Sequence, residues 1–469
     1  MTADGKKIIS VLAPMVLGGI IACLTPPGEL TREAMIYMGI FLCAIIWLVL
    51  NVIDDYIVVI LAMSLFVVFN ITTISSAFSP FAGSSVWLVI GAFGISAVIG
   101  KTGLLKRIAF AILKIFPENF RGQILALFTT GLIISPLIPS LTAKASILAP
   151  FSATAASALG FEKGSKGARG IFAAMWLSSG IFGMAFLSGA VPVFTILGFL
   201  SDEEKAVFTW FKWLAASWVW LVVLAVLSFV AIMVICNPEK EKRGQKVEAG
   251  FAKRSLEALG PMSKDEKLSA VFLALALIGW MTGSIHGIDS GIWAVIIMCL
   301  MAVTGLLSKK EFLTKISWPT VFFIGGVFSI AAQIQKLGID QWLATILSPI
   351  LAPVVGNVYI LIPMICITTY LLRCVIISQT AVTAIFFATL GGISRAAGIN
   401  PWVILFVCYT STLVWHFSFT NTTYVAAFGA TGGDMVEHHD NQPMNIAYMV
   451  INLIACTASI PLWHLLGFL

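Results

Sequence analysis

Ser140-Leu141-Thr142-Ala143 and Ser378-Gln379-Thr380-Ala381 are one short polar motif set twice in deeply apolar sequence. Each lies near the middle of a long apolar segment, 121–159 and 354–397, so each segment reads as two apolar limbs meeting at a polar tip. Working outward, Val86–Leu104 (VWLVIGAFGISAVIGKTGL) aligns with Val321–Ile339 (VFFIGGVFSIAAQIQKLGI) at an offset of 235. Trp176 aligns with Trp415 at 239, and the two serines are 238 apart. Anchors in one order near one offset describe a chain of two like halves. Irregular backbone at membrane depth survives only against protein or a watery cavity, so the two limbs read as a re-entrant hairpin. Two such halves, each with a polar tip, point to a secondary transporter with its site between the repeats.

Composition agrees with a lipid environment. The chain is 59% hydrophobic and 11% charged, with a mean hydropathy of +1.00, whereas soluble domains are roughly one quarter charged. The net charge of +6 reads as membrane topology, because Lys and Arg sit in loops and form no basic-aromatic face for nucleic acid. Lys6 and Lys7 precede an apolar stretch at 8–24 that resembles a signal peptide but lacks a small-residue cleavage site, so a retained first helix is expected. The eight cysteines show no CxxC spacing and read as apolar packing residues. No HExxH occurs, and His438, His439 and Asp440 fall in a connecting loop, so neither an enzyme nor a metal site or cofactor is expected.

These patterns predict an all-α polytopic membrane protein with about 11 transmembrane helices and two re-entrant hairpins in two inverted-topology repeats. The expected division is an N-terminal helix at 1–33, repeat 1 at 34–236 with its hairpin at 121–159, a linker at 237–268, and repeat 2 at 269–469 with its hairpin at 354–397. The linker carries Lys240, Lys242, Arg243, Lys246, Lys253, Arg254, Lys264 and Lys267, which places it and the N-terminus in the cytoplasm by the positive-inside rule. The loop with Asp202, Glu203 and Glu204 then falls outside. Asp434, Glu437 and Asp440 fall inside, a small discord, since acidic residues carry little topological weight. An odd number of crossings per repeat, about five, turns the second copy upside down, so the hairpins enter from opposite faces.

A hairpin tip that starts a new helix presents free N–H groups and the positive end of a dipole, which suit an anion. Ser140, Thr142, Ser378 and Thr380 add hydroxyls there, and Gln379 an amide. Lys144 follows the first tip at a depth where a lysine costs roughly 2.5 to 3.5 kcal/mol unless it meets a cavity or partner. His416 opens HFSFTNTT, whose Ser418, Thr420, Asn421, Thr422 and Thr423 suggest a broken helix. Arg373 is the third cation near a tip. No Asp or Glu occurs from Tyr56 to Pro117, Asn119 to Phe161, Phe312 to Ile339 or Gln341 to Gly433. The missing negative charge is therefore read as the substrate's.

The two tips and the paired GAFGISAVIGKTGL and GGVFSIAAQIQKLGI stretches resemble the divalent anion/sodium symporter family, over nearly the whole chain. The resemblance implies transport of dicarboxylates and citrate by a dimer with eleven spans, in which a mobile domain moves like an elevator against a fixed scaffold. It implies that Ser140, Leu141, Thr142, Ser378, Gln379 and Thr380 hold substrate carboxylates, with the broken helices at Ser179, Gly180, Ser418, Thr420, Asn421 and Thr422. The family's tips read Ser-Asn-Thr; here Leu141 and Gln379 replace the asparagines that help form its sodium sites. Sodium-independent exchangers of the family are similar in having a basic residue where Lys144 stands. The expectation is therefore sodium-free exchange of C4 or C5 di-acids such as succinate, malate and 2-oxoglutarate in the plasma membrane, with Lys144 and His416 as compensating charges. The alternative is a sodium- or proton-coupled dicarboxylate or citrate symporter. Expected partners are dicarboxylate anions, the bilayer and a second copy of the chain, with no nucleic acid.

Overall fold

The computed structural model describes residues 3–28, 30–238 and 250–469, so Lys240, Lys242, Arg243 and Lys246 of the linker lie outside the described residues. Those residues form helices and no strand. After α1 (Ala3–Cys23), helices of nine residues or more follow one another in two matching series. The first is α2 (Arg32–Leu50), α3 (Asp55–Val68), α4 (Ser84–Thr102), α5 (Leu104–Leu113), α6 (Phe120–Ile134), α7 (Leu141–Ala158), α8 (Lys166–Gly180), α9 (Val191–Phe199) and α10 (Trp210–Ile235). The second is α11 (Lys264–Met281), α12 (Ser290–Val303), α13 (Trp318–Lys336), α14 (Ile339–Val355), α15 (Val358–Leu372), α16 (Gln379–Ala396), α17 (Pro401–Thr412), α18 (Thr422–Ala430) and α19 (Gln442–Ala458).

Packing makes the two series equivalent residue by residue. Gly91 of α4 lies so close to Ala294 of α12 that a Cβ would sit 2.7 Å from it; at the same offset of 235, a Cβ on Gly326 of α13 would sit 2.4 Å from Val59 of α3. Gly103 and Gly338, also 235 apart, hold φ of +83° and +66°, a left-handed turn that glycine adopts freely. The apolar runs 86–116 and 319–347, continuous in sequence, are therefore each broken there into two helices. The aligned tryptophans meet each other, the Trp176 and Trp415 rings lying edge to face at 5.7 Å, and Trp220 Nε1 donates to Asn452 Oδ1 at 2.9 Å. Along α10 the partners run backwards, since Trp463 bonds to Ala216 and Asn452 to Trp220. The C-terminal segment therefore runs antiparallel to α10.

Ion pairs mark the two ends. At one end Arg107 meets Glu266, Lys101 meets Glu311 and Arg169 meets Asp440; this end also holds the base of the first hairpin, where Glu118 accepts from Gly250 N–H. At the other end Arg395, near the base of the second hairpin, pairs with Glu204 and Asp340. The hairpins α6–α7 and α15–α16 enter from these opposite ends.

Six helices among the described residues are long and apolar enough to cross a membrane by length and composition, including Arg32–Leu50, Ser84–Thr102 and Trp210–Ile235. Other segments expected as crossings are shorter, among them Asp55–Val68, Val358–Leu372 and Pro401–Thr412. Two of those crossings are interrupted at mid-depth: α8 and α9 are separated by 181–190, and α17 and α18 by 413–421. Both α8 and α17 are buried on nearly every side. By contrast α10 exposes Trp218, Val222, Val226 and Val230 at four-residue spacing, the stripe of a helix with one face toward lipid.

Candidate functional site

The two motifs are helix N-caps. Ser140 Oγ accepts from Ala143 N–H at 3.1 Å and Ser378 Oγ from Ala381 N–H at 3.3 Å. Before each serine the chain is extended, after Pro136 and Pro139 in the first hairpin and after Arg373–Ile377 in the second. An N-cap uses its oxygen as acceptor, so its own hydroxyl proton stays free to donate. It also leaves most of the first-turn N–H groups of α7 and α16 open. The starts of α9 and α18 lie against the tips, through Val191 N–H to Pro139 O, the Thr142–Thr423 hydroxyl pair and Arg373 to Thr420 O.

Around this point Thr142, Ser418 and Thr422 are exposed, and Ser140, Ser378, Gln379, Thr380 and His416 are half-buried. Thr142 Oγ1 lies 3.2 Å from Thr423 Oγ1 at the start of α18, which joins the first tip to the broken helix of the other repeat. These groups line an uncharged, hydroxyl-rich surface with helix N-termini behind it, suited to carboxylate oxygens.

The other expected residues are buried and act within the protein. Leu141 contributes backbone only, its side chain packing inside. Ser179 Oγ donates to Met175 O at 2.6 Å within its own helix, and Gly180 gives room to the Trp176 ring, which a Cβ would approach to 2.4 Å. Thr420 Oγ1 donates to Phe417 O at 2.8 Å. Asn421 caps α18 through Tyr424 N–H and reaches back to Leu413 O at 3.0 Å, tying the two halves of the break.

Lys144 is fully buried, and its Nζ donates to Gly189 O at 2.7 Å in the α8–α9 break. Gly183 makes room for it: a Cβ there would lie 2.5 Å from both Lys144 Nζ and Gly189 O. Val191 N–H to Pro139 O at 2.9 Å and Ser188 Oγ to Pro136 O at 2.8 Å complete the stitching of tip to break. Arg373 does the same work in the second half. It is fully buried; Nε donates to Thr412 O at 3.1 Å, Nη1 to Ile376 O at 2.8 Å and to Ile377 O, and Nη2 to Thr420 O. Gln379 Nε2 also reaches Thr412 O, at 3.2 Å.

His416 departs from its expected role as a compensating charge. Asn445 Oδ1 accepts from Trp415 N–H at 2.9 Å, which turns Asn445 Nδ2 toward His416 Nδ1 at 3.0 Å. Nδ1 must then accept, so the ring is the neutral tautomer with its proton on Nε2. Nε2 has no partner among the described residues. No bond joins Lys144 to His416 there; each belongs to its own break. Asn445, Gly183 and Gly189 carried no sequence signal of their own, since their roles come from a tertiary neighbour. Among the described residues no group of three or more His, Cys, Asp or Glu is arranged to hold a metal ion.

With this geometry in hand, comparison with known proteins decides the family. The family described as the sodium:sulfate symporter transmembrane region matches residues 5–469. The chain belongs to that family. This is the divalent anion/sodium symporter family that the two tips resembled, and as a member the chain is an integral membrane transporter for small anions. Among curated relatives, the inner membrane protein YbhI of Escherichia coli K12 is 27% identical, with 72% of each chain covered. The chloroplastic dicarboxylate transporter 1 of Spinacia oleracea is also 27% identical, over 72% of this chain and 60% of that one. The L-tartrate/succinate antiporter of Escherichia coli K12 is 24% identical over 80% of each. In fold the chain is similar to the YdaH transporter of Alcanivorax borkumensis, with a TM-score of 0.55 at 13% identity and 98% of both chains covered.

Proposed function

We propose that this family member exchanges one dicarboxylate for another across the plasma membrane without sodium, on C4 or C5 di-acids such as succinate, malate and 2-oxoglutarate. The reading is supported by two buried basic side chains, Lys144 and Arg373, behind hydroxyl-bearing helix N-termini, with no acidic residue in any helix from α6 to α10 or α15 to α19. An empty site of that kind holds unneutralised positive charge and crosses the membrane reluctantly. A bound dianion removes the obstacle, so turnover requires a substrate in each direction. The names of the spinach and Escherichia coli relatives, a dicarboxylate transporter and a tartrate/succinate antiporter, support the same substrate class.

The tips Ser140–Thr142 and Ser378–Thr380, with Ser418, Thr422 and the Nε2–H of His416, are proposed as the carboxylate contacts. The protein works as a homodimer with a cytoplasmic N-terminus, and α6–α10 with α15–α19 move as the elevator against α2–α5 and α11–α14. The family description favours a second reading, sodium-coupled symport of a dicarboxylate or sulfate. Uptake of labelled succinate, 2-oxoglutarate, citrate and sulfate into proteoliposomes, with and without sodium and with and without internal di-acid, separates the two. Exchange predicts uptake that needs the internal pool and ignores sodium; uptake driven by sodium into empty vesicles contradicts it.

A further inference from the structure

The identity of the second compensating charge follows from what the buried cations touch. Lys144 and Arg373 are fully buried at the mid-depth tips, and both bond only to backbone carbonyls: Gly189 O for the lysine, Thr412, Ile376, Ile377 and Thr420 O for the arginine. The other basic residues of α6–α10 and α15–α19 stand at helix ends; Arg169 and Arg395 there have carboxylate partners. Carbonyl dipoles orient a cation without cancelling its net charge. The helix N-termini at the tips do not cancel it either, because they carry partial positive charge themselves. With His416 held neutral by Asn445 and Lys144 carrying its proton as the exchange reading requires, two positive charges remain, one per repeat.

We propose that Arg373 is the second fixed charge, and that from behind the tip of the second hairpin, without touching the substrate, it sets the preference for dianions over monoanions. The proposal rests on the exchange reading for the existence of a carried anion and adds the charge number and its source. Two fixed charges and a dianion make a neutral occupied site; a monoanion leaves one positive charge uncompensated in a low-dielectric interior. Discrimination arises from that residual charge. A purely structural Arg373 would act as a clamp on the C-terminal carbonyls of α15 and α17 and would leave selectivity untouched.

The test compares wild-type protein with Arg373→Lys and Arg373→Met in proteoliposomes, reading the inhibition of labelled succinate exchange by unlabelled succinate and by butyrate. Wild-type exchange comes first; absence of any dicarboxylate movement there overturns the exchange reading and this proposal together. With exchange present, Arg373→Met is expected to narrow the succinate-over-butyrate preference by about tenfold or more. Arg373→Lys should keep the preference even where exchange slows. Equal loss of rate in both variants with an unchanged preference overturns the proposal and leaves a clamp. Where Arg373→Met is not monodisperse, the wild-type protein decides: succinate homo-exchange under potassium-valinomycin clamps should be flat over about 100 mV, because a neutral occupied carrier feels no field. A rate that changes about twofold or more with potential shows a charged occupied carrier and overturns the charge count.

Discussion

Lys144 is held wholly inside the protein just behind the first tip. Its ammonium is anchored by one carbonyl, Gly189 O, in a cradle that exists because Gly183 has no side chain. Lys144→Ala is expected to abolish exchange while leaving a folded protein, checked by counterflow and by gel filtration; undiminished exchange would remove Lys144 from the mechanism. Gly183→Ala forces a methyl to within 2.5 Å of both the ammonium and the carbonyl, so exchange should fall by about tenfold or more with the protein still assembled. The depth of Lys144 was legible in the sequence because a lysine among Ala143, Ala145 and Ser146 stands out. Its partner was not, because glycine 189 lies in another helix pair and looks like any loop glycine. The partner of His416 was hidden for a similar reason: Asn445 lies in α19, and nothing near residue 416 reports it.

Broken helices place these residues, and their stability is local. Asn421 both caps α18 and bonds Leu413 O; Asn421→Ala should lower stability by about 1 kcal/mol and lower the melting temperature in detergent, with a larger loss of transport than an exposed substitution away from the site such as Ile446→Ala. At the opposite end of the molecule from the linker, Glu204 joins the α9–α10 connection to Arg395. Burial works against the Glu204 charge, but hydrogen bonds from Arg395 and Ser201 and the guanidinium field outweigh it and hold the carboxyl below its ordinary 4.5. A depressed carboxyl stabilises the fold above its unfolded pKa and loses that contribution as pH falls through the folded value. Thermal melts should therefore show wild type above Glu204→Gln at pH 7, the two converging below about pH 4. A gap that persists in acid would assign the difference to packing. The repeat itself was readable from the 235-residue offset between GAFGISAV at 91–98 and GVFSIAAQ at 326–333, since apolar periodicity and the glycine pair Gly91 and Gly326 survive in sequence. The interruptions after Gly103 and Gly338 were not read, although Lys101, Lys106 and Arg107 flank the first and Lys336 and Asp340 the second, because long apolar stretches lie on either side of both.

At the scale of the molecule, two inverted halves bring helix N-termini, their hydroxyls and two buried cations to the two tips, and their equivalent tryptophans, Trp176 and Trp415, pack on each other. In the exchange mechanism proposed above, the charge of the empty site governs transport. The most direct measurement is efflux of labelled succinate from loaded, sodium-free proteoliposomes into medium with or without external di-acid, under a potential clamp. The account predicts retention of label in substrate-free medium and rapid release once succinate or malate is added outside. Rapid release into substrate-free medium would show that the empty carrier crosses freely and would contradict it.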